Sequence, residues 1–423
     1  MSGRRIAITG LGVVAPGATG AKEFWDMISA GRSATRLITA FDATAFRSRI
    51  AAEIDFDPAR QGLSPREIRR LDRAAQFALV ATRETIADSG LDLEELDPSR
   101  VGVSVGSAVG CTVRLEEEFV VLSDAGRDWN VDASYASPHL YDYYAPGSLA
   151  AEVAWEVNAQ GPVTVVSAGC TSGLDSLGHA CDLIKEGRAD LMLAGGTDAP
   201  ITPITVACFD AIKATSPRNE NAESALRPFD RTRNGFVLGE GSSMLVLEEW
   251  EHARARGAHV YAEITGFASR SNAFHMTGLR PDGAELASAV TAALDESRIR
   301  PEEIDYVNAH GTATRQNDLH ETAALKTSLG AHAYRTPVSS IKSMVGHSLG
   351  AIGSIEIAAC ALAMDQGVIP PTANLHEPDP ELDLDYVPLV AREARLSAVL
   401  SVGSGFGGFQ SAMVLARPDR GAA

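Results

Sequence analysis

One cysteine in this chain stands where a nucleophile would. The apolar, β-branched run Val163-Thr164-Val165-Val166 passes through Ser167-Ala168-Gly169 to Cys170, then continues as Thr171-Ser172-Gly173 into Leu174-Asp175-Ser176-Leu177. That pattern predicts strand, tight turn and helix, with the thiol in the helix's first turn. A helix N-terminus favours negative charge, so a cysteine there can carry a lowered pKa and attack as thiolate. Taken alone, the segment fits a small buried cysteine in a tight turn equally well.

Two histidines tip the balance. His310 ends the apolar run Ile304-Asp305-Tyr306-Val307-Asn308-Ala309 and opens Gly311-Thr312-Ala313-Thr314. His347 follows Lys342-Ser343-Met344-Val345-Gly346, read as the end of a strand, and precedes a helical segment. Open α/β sheets gather their chemistry at the C-terminal ends of strands. A thiolate can take an acyl group, and two imidazoles can hydrogen-bond a developing enolate or carbonyl oxygen, so the set suits acyl chemistry. Gly403-Ser404-Gly405-Phe406-Gly407-Gly408 follows another apolar run, Ser397 to Val402. Its glycines allow backbone N–H groups to approach a ligand as an oxyanion hole requires. A mobile turn is the plain alternative, and the lone aromatic Phe406 argues against it.

Other motifs carry less. Gly346-His347-Ser348-Leu349-Gly350 matches the nucleophile elbow of α/β-hydrolases, which needs an acid and then a histidine later in the chain. After Ser348 only His376 remains, with Asp365 before it and too little chain to complete such a sheet. Gly10-Leu11-Gly12-Val13-Val14-Ala15 fits a dinucleotide fingerprint, but Pro16 and Gly17 lie where its helix must run, so a strand-to-turn glycine pair is expected. Cys181 falls on the stripe Leu174, Leu177, Cys181, Ile184, and Cys360 lies in an apolar helix; both read as core. Glu356, amid Ile355, Ile357 and Ala358, needs a partner, for which Lys342 or a bound cation would serve.

These residues need a scaffold that brings strand ends together. Strand-like runs at 4–9, 101–107, 163–168, 190–194, 242–248, 259–267, 304–309, 337–341, 397–402 and 411–416 alternate with helical segments, notably 66–88, 171–186, 282–297, 316–329 and 348–366. Such alternation predicts an α/β architecture. Two echoes suggest internal duplication: Pro162-Val163 and Pro337-Val338 open similar strand–turn–helix series, and Gly241 to Leu247 resembles Gln410 to Leu415. The expected halves are 1–257, carrying the cysteine, and 258–423, carrying both histidines. Net charge of −18 argues against a nucleic-acid binder. No uninterrupted apolar stretch of about 18 residues exists, so no membrane span is expected. Five scattered cysteines without CxxC spacing point to neither a disulfide framework nor a metal site, and a reducing cytoplasm is the simplest setting.

At Cys170-Thr171-Ser172-Gly173, His310-Gly311-Thr312, Lys342 to His347 and Gly405-Phe406-Gly407-Gly408, the chain resembles the β-ketoacyl-acyl-carrier-protein synthases over nearly its whole length. Within them it looks most like the ketosynthase α-subunit of bacterial type II polyketide synthases for aromatic products. The resemblance implies a thiolase fold, five-layered α-β-α-β-α, built from two similar halves. It implies that Cys170 holds the growing acyl chain while malonyl-acyl carrier protein loses CO2 and its enolate attacks that thioester. His310 and His347 would stabilise the enolate, with Lys342 supporting His347. The N–H groups of Cys170 and Phe406 would form the oxyanion hole, with Phe406 also a gate. Thr312 and Thr314 match positions that contact the phosphopantetheine arm, which the carrier brings; no cofactor bound by the chain itself is implied. Arg66, Arg69, Arg70, Arg127 and Lys213 fall where the family presents basic residues to its carrier protein. The implied partners are that carrier and a chain-length-factor subunit as heterodimer.

The last loop departs from the family pattern. Fatty-acid members usually read Asn-Ser-Phe-Gly-Phe-Gly-Gly-Thr-Asn, whereas Val402-Gly403-Ser404 and Phe409-Gln410 flank the glycines here. Ser404 in place of the first phenylalanine fits a polar poly-β-keto chain better than a fatty one. A stand-alone fatty-acid synthase is the alternative activity. The non-catalytic chain-length subunit usually has glutamine where Cys170 stands, and a degradative thiolase would need a second cysteine in the 402–405 segment.

Overall fold

The computed structural model describes residues 3–128 and 132–418. Ten strands carry the architecture: β1 (Ile6–Ala15), β2 (Val101–Gly106), β3 (Val163–Val166), β4 (Leu191–Asp198), β5 (Gly241–Glu249), β6 (Ala262–Ser271), β7 (Tyr306–Asn308), β8 (Val338–Ser339), β9 (Ala398–Gly405) and β10 (Phe409–Ala416). They follow one path, β8-β7-β9-β10-β6-β1-β5-β4-β2-β3. Its seam is the antiparallel pair β1–β6, with Ile6 opposite Ile264.

Outward from that seam the two halves repeat. The first runs β1-β5-β4-β2-β3 and the second β6-β10-β9-β7-β8, every strand five places later. Directions repeat as well: β5 is antiparallel to β1 and β4, while β2 is parallel to β4 and β3. Likewise β10 is antiparallel to β6 and β9, and β7 is parallel to β9 and β8. Both sequence echoes fall on equivalent strands, β3 with β8 and β5 with β10.

Helices complete the layers. Helices α1 (Arg73–Ser89), α2 (Ser172–Lys185), α3 (Ala284–Ser297), α4 (Arg315–Leu329) and α5 (Ile352–Gln366) are the longest. Helices α2 and α5 pack on each other and touch strands of both halves, so they form the middle layer. Helix α1 covers β1 and β5 from outside, and α3 covers β6 and β10, which gives the five-layer α-β-α-β-α arrangement. Strands covered on both faces become continuous apolar runs, as Met244 to Leu247 of β5 illustrates. The segment Leu349–Gln366 is the one described helix long and apolar enough to cross a membrane; 89% of it is buried inside the protein.

Glycine lets the middle helices meet backbone to backbone. A side chain at Gly353 would sit 2.7 Å from the Leu174 nitrogen, and one at Gly173 would sit 2.7 Å from the Gly350 carbonyl. The chain entering α2 therefore lies against the chain entering α5, which draws Cys170 and His347 together.

Three expectations are corrected. The predicted helix 66–88 is two helices, Pro65–Arg70 and α1, because Ser64 and Glu67 form a capping box and Asp72 caps a new start by accepting from the Ala74 N–H. Gly10 and Gly12 sit inside β1, not at a turn: a side chain on Gly12 would lie 1.9 Å from the Ala81 carbonyl, so their smallness lets α1 rest on the strand. Lys342 is not on a strand; it opens the helical turn Lys342–Val345, with β8 ending at Ser339.

Candidate active site

Cys170 sits in a turn between β3 and α2 that side chains hold closed. The Ser172 hydroxyl donates to the Gly169 carbonyl at 2.6 Å and accepts from the Ala168 N–H at 2.9 Å. The Thr171 hydroxyl bonds both the Ala168 carbonyl and the Asp175 carboxylate. Helix α2 starts at Ser172, so the thiol lies just ahead of it rather than in its first turn. The expected lowering of its pKa is also overturned. Burial pushes the thiol up to about 11, against the pull of the Phe406 N–H, the positive Lys342 and its own N–H. The β9–β10 loop is pressed close: a side chain on Gly405 would lie 3.2 Å from the Cys170 nitrogen. The N–H groups of Cys170 and Phe406 thus converge on the sulfur.

His310 follows β7 and is almost wholly buried. Its N–H donates to Glu321 Oε1 at 2.5 Å, and the Gly311 N–H donates to Glu321 Oε2 at 2.8 Å. Lys342 Nζ stands 3.2 Å from His310 Nδ1 and 2.5 Å from Glu356 Oε1, with lysine and glutamate both buried. This corrects the expected support of His347: Lys342 serves His310, because its helical turn aims it back toward β7. Lysine has only donors, so Nδ1 accepts and the ring's proton sits on Nε2. Burial, the Lys342 charge and His347 hold the His310 pKa well below its ordinary value. Glu356 finds its partner in Lys342; burial still raises its carboxyl to about 7.

His347 enters the site between β8 and α5. Its N–H donates to the Val237 carbonyl at 2.8 Å and its carbonyl accepts from Gly239 at 2.9 Å. The two imidazole rings stand 5.4 Å apart at 84°. Burial and Lys342 hold the His347 pKa well below its ordinary value too. Each neutral ring keeps one N–H with which to donate to a negative oxygen. Ser348, the elbow residue, is buried with no hydrogen-bond partner for its hydroxyl among the described residues, so no base activates it.

One narrow cavity of about 50 Å³ collects these groups: Cys170, His310, His347, Thr312, Thr314 and Phe406 all line it. A row of rings borders it, from Phe406 to Phe209 (6.3 Å), Phe236 (5.4 Å) and His347 (5.3 Å). The Thr312 and Thr314 hydroxyls share a hydrogen bond of 3.0 Å. A larger groove of about 870 Å³ near Arg36 and Glu53 contains no nucleophile; there Arg36 pairs with Asp55 and Arg73 with Glu240, each at 2.6 Å. None of Arg66, Arg69, Arg70, Arg127 and Lys213 lines the catalytic cavity. Arg66, Arg69 and Lys213 are exposed, Arg127 is exposed beside Asp124 at 3.4 Å, and Arg70 is drawn inward to Glu152.

Sequence reasoning missed the carboxyl groups behind the site. Asp318 and Glu321 lie three apart on the buried face of α4, a spacing that was legible. Burial pushes Glu321 up to about 8 and Asp318 to about 6, and Arg233 forms an ion pair with Asp318 at 3.2 Å. Asp198, at the end of β4, accepts from Ser107 Oγ (2.7 Å) and from the N–H groups of Ala108 (2.9 Å), Val109 (3.2 Å) and Gly350 (2.7 Å). It ties the first half to the loop that carries His347. Nothing near Asp198 in sequence announces that.

Comparison with known proteins gives this geometry its class. Residues 3–253 match the β-ketoacyl synthase N-terminal domain and 261–376 the corresponding C-terminal domain. The chain belongs to the β-ketoacyl synthase family, whose members are acyltransferases. It is 64% identical over 415 residues to the tetracenomycin polyketide synthase ketoacyl synthase alpha subunit of Streptomyces glaucescens, covering 98% of this chain and 97% of that one. A ketosynthase solved with its type II polyketide synthase acyl carrier protein and a hexaketide superposes with a TM-score of 0.93 at 37% identity, covering 99% and 100%. The ishigamide ketosynthase/chain length factor gives 0.89 at 35% identity, covering 98% and 100%.

Proposed function

We propose that the chain is the catalytic ketosynthase of a type II polyketide synthase, extending a poly-β-ketoacyl chain by decarboxylative Claisen condensation. The observation that carries this is the meeting of Cys170, His310 and His347 in one cavity, with Lys342 behind His310. In the first step the Cys170 sulfur attacks the carrier-bound acyl thioester; the new C–S bond forms as the carrier sulfur leaves, and the proton given up by the Cys170 thiol passes to it. The N–H groups of Cys170 and Phe406 stabilise the tetrahedral oxyanion. In the second, malonyl thioester on the carrier loses CO2, and the electron pair left behind forms an enolate. His310 and His347 donate hydrogen bonds to its oxygen. The enolate carbon then attacks the Cys170 thioester, a C–C bond forms, and the thiolate is released. Lys342 fixes the His310 tautomer, Glu356 neutralises Lys342, and Phe406 gates entry.

The substrate arrives on the phosphopantetheine of an acyl carrier protein, with Thr312 and Thr314 along the arm. Arg66, Arg69, Arg127 and Lys213 present positive charge to that carrier, while Arg70, bound to Glu152, does not. The halves 1–257 and 258–423 supply the nucleophile and the histidines respectively. A chain-length-factor subunit is the proposed partner. Support comes from the ishigamide ketosynthase/chain length factor neighbour, the outer edge of β3, unpaired among the described residues, and an apolar groove lined by exposed Phe119, Val120, Tyr141 and Tyr144.

Reconstitution with that partner, a carrier and a malonyl donor tests the reading. Intact-mass analysis should find acyl chain on Cys170, and the reaction should release CO2 and yield a poly-β-keto product; the acyl adduct and the product should be lost in Cys170→Ala. Acylation of Ser348 or of another cysteine overturns the mechanism. Processing of saturated acyl chains alone would instead assign a fatty-acid role.

A further inference from the structure

Asn317 offers an acceptor that nothing in the protein uses. It stands on α4, 4% exposed, and lines the cavity beside Thr312 and Thr314. Its Nδ2 lies 3.3 Å from Asp318 Oδ1 and 3.4 Å from Glu321 Oε2. The Asp318 carboxylate, raised by burial only to about 6, fixes the amide's orientation, since the reverse would set the amide carbonyl oxygen against it; Glu321 Oε2, which already accepts from the Gly311 N–H, takes the other N–H. Oδ1 is therefore turned away from both carboxyl groups, and it is buried with no hydrogen-bond donor among the described residues. Leaving such an oxygen unpaired is costly, and a ligand that brings a donor recovers the loss.

The chemistry of the substrate selects the donor. Malonyl and poly-β-keto groups present carboxylate and carbonyl oxygens, which would repel Oδ1. The phosphopantetheine arm carries two amide N–H groups near its thiol end, and its hydroxyl lies beyond both, toward the phosphate. We propose that Asn317 Oδ1 accepts a hydrogen bond from one of these two amides and sets the depth of the arm in the cavity. The inference rests on the carrier-borne substrate of the preceding subsection. It also links the arm to the reacting groups: Asn317 donates to Glu321, and Glu321 holds the backbone of His310 and Gly311.

The test pairs protein and arm variants. Malonyl carriers are prepared with the natural arm and with each amide in turn replaced by an ester, which removes one N–H. CO2 release is measured with the reconstituted complex containing wild type, Asn317→Ala or Asn317→Ser. In wild type, one ester arm should lower kcat/KM about tenfold, chiefly through KM. Asn317→Ala should show that loss with the natural arm and less than about twofold further loss with the same ester. Full additivity of the two changes, or no effect of either ester on wild type, overturns the proposal. The wild-type comparison needs no variant to fold, and Asn317→Ser replaces an Asn317→Ala that does not. Absence of CO2 release from wild type with the natural arm would instead be failure of the carrier-based reading itself.

Discussion

Replacing Asp198 separates a structural tie from the chemistry it supports. The carboxylate accepts one hydroxyl and three backbone N–H bonds, with Oδ2 serving Ala108 and Gly350 and Oδ1 serving Ser107 and Val109. In Asp198→Asn, the amide oxygen keeps Ala108 and Gly350. The new NH2 faces Ser107, whose oxygen can accept but whose hydroxyl proton must turn to another acceptor, and the Val109 N–H loses its partner. One orphaned buried N–H costs about 1–3 kcal/mol. Asp198→Ala orphans three such groups and frees Gly350, so its cost is roughly 3 kcal/mol or more. The freed segment carries His347, and misplacement of a reacting group by about 1 Å can cost about 100-fold in rate. Urea unfolding should therefore rank wild type, Asn and Ala in falling order. Malonyl decarboxylation should stay within about threefold in Asp198→Asn and fall about 100-fold in Asp198→Ala, while iodoacetamide still labels Cys170 in both. If Asp198→Ala releases CO2 at nearly the wild-type rate, the tie to Gly350 does not position His347 and the reasoning fails.

Other outcomes follow from the same geometry. With the Cys170 thiol held up to about 11, its alkylation rate should climb about 100-fold from pH 7 to 9, and a plateau below pH 8 would contradict burial as the governing effect. Lys342→Met should cut CO2 release by about 100-fold or more while acyl loading of Cys170 changes only a few-fold; an equal fall in both would place Lys342 elsewhere in the mechanism. Glu321, raised from 4.5 to about 8, keeps its proton in the folded state where the unfolded chain has lost it. Its contribution to stability is thus full below pH 4.5 and declines as pH rises to 8, at up to about 1.4 kcal/mol per pH unit. Melting temperatures of Glu321→Gln across pH 5 to 8 should slope less than those of wild type, and an unchanged slope would show the group ionised throughout.

The parts of this site that were legible are those whose signal is local. A β-branched run ending in small residues marks β3 and Cys170, and apolar runs ending at His310 and near His347 mark strand ends by the same logic. The break at Leu71 was also written in the sequence, since Ser64-Pro65-Arg66-Glu67 and Asp72 are two successive helix starts. What could not be read depends on partners far along the chain. Lys342 meets His310 only because β7 and β8 are neighbours, and Asp198 meets Gly350 only because α2 and α5 touch. The thiol's raised pKa has the same origin: a helix start is a sequence feature, but enclosure by the 403–408 loop is a property of the assembled fold.

The position of β1 bears on how the protein is made. The first strand of the sheet in chain order lies in its middle, and its long partners are β5 and β6, where Ile6 faces Glu249 and Ile264. Val14 and Ala15 pair early with Thr19 and Ala18, and the Leu11 and Val13 N–H groups reach Asp88 and Glu84. The rest of the strand waits for β5 and β6 until roughly 240 further residues have left the ribosome, which at about 5–20 residues per second takes about 12–50 s. For that interval most of an apolar ten-residue strand lacks its two long sheet neighbours. Slower synthesis lengthens that exposure, so lowering the temperature helps recovery of soluble protein only where it weakens aggregation more than it delays β6.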